Sequence, residues 1–153
     1  MADRYALIVA RFYAELAERL LAGATKELKD NGATWEVFEV PGAFELPLAA
    51  SWAAESGRFS GVVCLGAVIR GETDHYQFVC AEAARGIQEV ALRTGVPCSF
   101  GVLTCHNYDQ ALARADGSKR DQGRLAAAAA LEMVRLREAV GAGGEATAGR
   151  ATL

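Results

Sequence analysis

The chain has 153 residues, 52% hydrophobic and 23% charged, with a formal net charge of −3. That length and apolar share suit one domain with a substantial core rather than a disordered chain. The slightly acidic balance leaves no broad basic face for nucleic acid, and no apolar run approaches the roughly 18 residues a membrane helix needs.

Met1 to Tyr5 lead directly into an apolar run, so no secretory leader is expected. The four cysteines, Cys64, Cys80, Cys98 and Cys105, include no CxxC pair, and there are two histidines. A zinc site or a disulfide framework is therefore not expected, and the pattern fits a cytoplasmic protein.

Tyr5 to Ala10 is continuously apolar, the mark of a strand buried on both faces. Leu16, Leu20, Ala24 and Leu28 then recur at four-residue steps, an amphipathic helix that Asn31-Gly32 stops. Thr34 to Val40 alternates and is rich in β-formers, a second strand. After Pro41-Gly42, Glu45, Leu48, Ala49 and Trp52 share one face of a second helix ending at Gly57. Gly61 to Ile69 is a third strand. A long helix follows with Val79, Ala83, Ile87 and Val90 on one side, closed by Thr94-Gly95-Val96-Pro97. Cys98 to Thr104 is a fourth strand. Two more helices are expected near 108–115 and 122–140, the last with Leu125, Ala129, Met133, Leu136 and Val140 on one side. Residues 1–140 read as a single domain, and the tail 141–153, rich in Gly, Ala and Thr, as disordered.

Strands alternating with helices imply parallel pairing through right-handed crossovers. The expected fold is α/β, a three-layer α/β/α sandwich around a four-stranded parallel sheet, flavodoxin-like. Ligands of such sheets bind outside the carboxyl ends of the strands. The segments to weigh are Arg11–Tyr13, Val40–Glu45, Arg70–His75 and Thr104–Asn107, which hold both histidines.

Arg70-Gly71-Glu72-Thr73-Asp74-His75 opens the long helix, and free N–H groups at a helix start attract an anion. Gly71 permits close approach, and Thr73 adds a hydroxyl. Asp74 and Gln77 have the spacing of a capping box. In the first helical turn the dipole favours a neutral imidazole, so His75 is a candidate proton acceptor, weighed against an ordinary surface histidine. His106 has no comparable setting. Phe12 and Phe44 fall where loops usually carry polar residues, and two aromatics there can sandwich a flat heterocycle; the alternative is displaced core residues. Arg114, Lys119, Arg120 and Arg124 form a basic segment interspersed with Asp116 and Asp121. It is a solvated face by default, or a phosphate contact, reached through a neighbouring subunit. The first βα turn lacks GxGxxG and no GxxxxGK[ST] occurs, which argues against a dinucleotide site and a P-loop.

Five segments in this order resemble the 6,7-dimethyl-8-ribityllumazine synthase family, over about residues 6–136. They are Ala10-Arg11-Phe12, Val40 to Pro47, Leu65 to Tyr76, Phe100 to Thr104 and Gln110 to Ala115. The resemblance implies condensation of 5-amino-6-ribitylaminouracil with 3,4-dihydroxy-2-butanone 4-phosphate, the penultimate step of riboflavin synthesis, without metal or organic cofactor. It implies that Phe12 stacks on the pyrimidine, that Ala43, Phe44 and Glu45 hold the ring edge and ribityl chain, and that Val68 and Ile69 lie beside the ring. Gly71, Glu72 and Thr73 would bind near the phosphate, and His75 would transfer protons. Phe100 and Arg114 would come from the adjacent subunit of a homo-oligomer, a pentamer or a multiple of it. The implied partners are small-molecule substrates, with no nucleic acid and no membrane.

The sequence departs from the family where Tyr13 stands for a common Asn, and where Gln122 stands for a common Lys, for which Lys119 or Arg120 could substitute. Two other readings compete. A flavin-binding module would use the same aromatics; a structural shell protein would not need the Arg70–His75 segment.

Overall fold

The computed structural model describes residues 3–142, so the expected tail lies almost wholly outside the described residues. Strands β1 (Arg4–Ala10), β2 (Thr34–Val40), β3 (Gly61–Ile69) and β4 (Cys98–Cys105) alternate with helices α1 (Ala14–Asp30), α2 (Leu46–Glu55), α3 (His75–Thr94), α4 (Tyr108–Ala115) and α5 (Gln122–Gly141). A 3-10 turn, Ala43–Glu45, precedes α2. The sheet is wholly parallel, as the alternation of elements predicts, and its strand order is β2-β1-β3-β4.

The two-residue period of β1 divides the core. Tyr5, Leu7 and Val9 face Leu16, Leu20 and Ala24 of α1 and Ala126, Ala127 and Ala130 of α5. Ala6, Ile8 and Ala10 face Leu46 and Ala50 of α2 and Ile87 and Val90 of α3. Each fully buried Leu or Ile contributes about 1.5–3 kcal/mol of burial energy, so both layers are needed. Helix α1 ends where Asn31 and left-handed Gly32 (φ 71°) turn the chain, and α3 ends on left-handed Gly95 (φ 72°).

Two helices bury a different face from the one expected. In α2 the inward residues are Leu46, Ala50, Ala53 and Ala54, while Leu48 and Trp52 are exposed. In α5 they are Gly123, Ala126, Ala127, Ala130, Leu131 and Val134, and Ala129, Met133 and Val140 point outward. The reason is close approach. A methyl on Gly123 would overlap the Leu20 carbonyl of α1, and one on Gly86 would lie 2.7 Å from Pro47 at the start of α2. At those contacts only small side chains fit between helices, so the inward faces are rich in Ala and Gly, while Leu48, Trp52 and Met133 lie on the other face.

Candidate active site

The carboxyl ends of β1, β2 and β3 and the start of α3 surround a cavity of about 590 Å³. Its wall includes Phe12, Tyr13, Ala43, Phe44, Glu45, Val68, Ile69 and His75. Segments far apart in sequence meet here because parallel strands all end on one side of the sheet.

Phe12 stands two residues past the end of β1 and is 73% exposed. It stands edge-to-face on Tyr13, centroids 4.9 Å apart, and Tyr13 packs in turn near Tyr108 at 6.2 Å. The Tyr108 hydroxyl donates to Glu15 Oε2 at 3.1 Å, which ties α4 to the first turn of α1. Phe44, also largely exposed, sits in the 3-10 turn beside buried Ala43. That turn is closed by Glu45, whose Oε1 accepts the Gly42 N–H at 3.0 Å while its own N–H donates to the Gly42 carbonyl at 3.2 Å. The Glu45 carboxylate therefore holds the loop from the cavity wall. Val68 is buried and Ile69 half-buried at the end of β3, an apolar floor.

His75 is the first residue of α3, exposed and lining the cavity. Gly71, Glu72 and Thr73 form an exposed turn that leads into it and lie outside the cavity lining. The Asp74–Gln77 capping box does not form. Asp74 has helical dihedrals (φ −72°, ψ −1°) and no side-chain cap bond, because a capping side chain needs an extended N-cap backbone. Thr73 Oγ1 instead accepts the His75 N–H at 3.3 Å.

Phe100 and Arg114 are not in this cavity. Phe100 is on the edge strand β4, 37% exposed. Arg114 lines a separate depression of about 420 Å³ at the end of β4, together with His106, Gln110, Arg120 and Gln122. The two depressions share no lining residue. Within one chain the expected contacts are thus divided between two surfaces, the aromatic and imidazole groups on one and the guanidiniums on the other. Phe78 and Val79 also line the first cavity and were not among the expected contacts. Their signal is helical spacing, since Phe78 and Val79 stand three and four residues after His75 and so lie over the same face of α3.

No cysteine is bridged among Cys64, Cys80, Cys98 and Cys105. Burial pushes the Cys64 thiol far up and that of Cys98 to about 11, so neither is a thiolate at neutral pH. Among the described residues no three His, Cys, Asp or Glu side chains converge as metal ligands, and no helix is long and apolar enough to cross a membrane.

A family model described as 6,7-dimethyl-8-ribityllumazine synthase matches residues 3–138. The chain belongs to the 6,7-dimethyl-8-ribityllumazine synthase family. A 6,7-dimethyl-8-ribityllumazine synthase of Desulfatibacillum aliphaticivorans is 47% identical over 138 residues, covering 88% of this chain and 89% of that protein. One of Salinibacter ruber is 46% identical over 136 residues, 87% of each. The chain is accordingly an enzyme, a lumazine synthase, of the riboflavin-biosynthesis step that forms 6,7-dimethyl-8-ribityllumazine. Every segment of the cavity wall falls inside the matched span.

Proposed function

We propose that the aromatic cavity binds 5-amino-6-ribitylaminouracil and that 3,4-dihydroxy-2-butanone 4-phosphate condenses with it there, without metal or organic cofactor. The pyrimidine lies against Phe12, over the Val68–Ile69 floor. Ala43, Phe44 and Glu45 hold its ring edge and ribityl chain. The 5-amino nitrogen attacks the ketone of the butanone, water leaves and an imine forms. Phosphate is then eliminated, the resulting enol becomes a second carbonyl, and the 6-ribitylamino nitrogen closes the ring on it with loss of a second water to give the lumazine. His75 carries protons during these steps, and Gly71, Glu72 and Thr73 lie toward the phosphate.

One observation carries this reading: four aromatic rings, those of Phe12, Tyr13, Phe44 and Phe78, and an imidazole line one cavity of about 590 Å³, a size suited to a substrate of this class. The wall is otherwise mostly apolar and provides little for a phosphate. That favours a site completed by Phe100 and Arg114 of a neighbouring subunit, hence a homo-oligomer, with a closed pentameric ring or a multiple of it as the assembly. The exposed Leu48, Trp52 and Leu92 are consistent with faces that other copies cover. A cytoplasmic setting fits the four unbridged thiols.

The test is complementation between two inactive variants, His75→Ala and Arg114→Ala. Each is assayed alone, and then the two are dissociated, mixed and reassembled. With a shared site, mixed assemblies contain junctions with both residues intact, and lumazine fluorescence returns. Recovery no greater than the sum of the two variants sinks the shared site.

A further inference from the structure

The depression at the end of β4 contains no carboxylate, and two guanidiniums line it, those of Arg114 and Arg120. Among the described residues neither forms a salt bridge. The nearest acids in sequence are committed elsewhere: Asp116 Oδ1 accepts the Ser118 N–H at 2.8 Å and Asp121 Oδ1 accepts the Arg124 N–H at 3.1 Å. Like charges facing one concavity repel until an anion sits between them.

Both guanidiniums are anchored in a way that leaves donors free. Arg114 donates through one Nη to the Gln110 carbonyl at 3.1 Å. Arg120 donates through Nε to Gln122 Oε1 at 2.6 Å, and Gln122 Nε2 reaches the Phe100 carbonyl at 3.3 Å. Gln122 is therefore a strut between the edge strand and the Arg120 head group. The backbone beneath is fixed as well, because the N–H groups of Lys119 and Arg120 both donate to the Ala113 carbonyl, at 2.8 and 3.3 Å. Arg120 lines the depression and Lys119 does not.

We propose that Arg120, oriented by Gln122, is the second guanidinium of a phosphate half-site with Arg114, and that it meets the phosphate group of the butanone substrate. This rests on the reading that the β4 depression supplies the phosphate side of a shared site. A tetrahedral dianion accepts donors from two guanidiniums at once, and anchoring through Nε leaves both Nη atoms of Arg120 available. Gln122 is a positioning residue, acting through Arg120.

The experiment measures inorganic phosphate binding to the intact assembly by phosphorus NMR line broadening. Alongside it, KM for each substrate is determined for Arg120→Gln, Arg120→Lys, Gln122→Ala and Lys119→Gln. Expected for Arg120→Gln is a loss of about tenfold or more in phosphate affinity and a matching rise in KM for the butanone phosphate, with KM for the pyrimidine unchanged. Arg120→Lys recovers part of the loss, Gln122→Ala shows a smaller loss of the same kind, and Lys119→Gln behaves as the unmodified protein. The inference is overturned if Arg120→Gln retains normal phosphate affinity, or if Lys119→Gln carries the loss instead. Arg114→Gln separates the two levels. If it raises KM for the butanone phosphate while Arg120→Gln does not, only this inference fails. If neither does, the reading of the depression as the phosphate side fails with it.

Discussion

Arg11 Nε lies 3.0 Å from Glu39 Oε2, an ion pair joining the residue before Phe12 to the end of β2, where the chain leads on to Phe44. A second carboxylate, Glu18 of α1, pairs with the same guanidinium, and the Arg11 N–H donates to the Val40 carbonyl at 2.9 Å. This pairing links the two segments that carry the aromatic walls of the cavity. Partly exposed ion pairs contribute only about 0–1 kcal/mol to stability, so geometry is the larger consequence. Arg11→Met is predicted to raise KM for the pyrimidine roughly fivefold, the equivalent of about 1 kcal/mol, with little change in kcat or melting temperature. Steady-state kinetics with a thermal melt tests this, and an unchanged KM would refute it.

The aromatic walls themselves should behave as binding groups. Phe12 and Phe44 are 73% and 57% exposed, so Phe12→Ala or Phe44→Ala should move stability by less than about 0.5 kcal/mol. Stacking on a heterocycle is worth about 0.5–1.5 kcal/mol, so pyrimidine affinity should fall up to about tenfold. Equilibrium titration with the pyrimidine decides it; a large loss of melting temperature would mean the rings are structural.

His75 lines the cavity from the first residue of α3 and is exposed. His75→Ala should lower kcat by about 10²-fold or more, the usual range for a positioned proton carrier, with pyrimidine affinity kept. Single-turnover rates and a binding titration on one preparation separate these effects, and an undiminished rate would remove His75 from the proton steps.

Gly123 faces the Leu20 carbonyl across the α1–α5 contact. Gly123→Ala must push the helices apart or break the start of α5, at a cost of about 1–3 kcal/mol. The melting temperature should drop by several degrees, since about 1 kcal/mol corresponds to roughly 2–4 °C at this size. A melt within one degree of the unmodified protein would show that the contact yields freely.

Burial pushes the Tyr5 phenol from 10.0 up to about 12, with Asp3 adding to the shift. A folded-state value above the unfolded one means the stabilisation is present below pH 10 and is lost as pH rises from 10 towards 12. Chemical denaturation across that window should show a decline that Tyr5→Phe reduces. Equal declines in both proteins would count against it.

The sequence by itself determined the element order, the parallel sheet and the segments that gather at its carboxyl edge. These follow from local signals: apolar strands, Gly-terminated helices, and aromatics where loops should be polar. Phe12, Phe44 and His75 were legible for that reason, since a strand end in a parallel sheet has only one place to go; Val68 and Ile69 entered through the family resemblance. Which face of α2 and α5 turns inward was decided by the tertiary structure alone. Each helix carries two apolar faces, and periodicity favours the one with larger residues, but the close helix contacts, as at Gly123 against Leu20, put an inward face made mostly of Ala and Gly against its neighbours. The same holds for the sorting of Arg120 from Lys119. Adjacent residues of like charge are equivalent in sequence, and they become different only when the loop after α4 folds back onto the Ala113 carbonyl and turns one side chain toward Gln122.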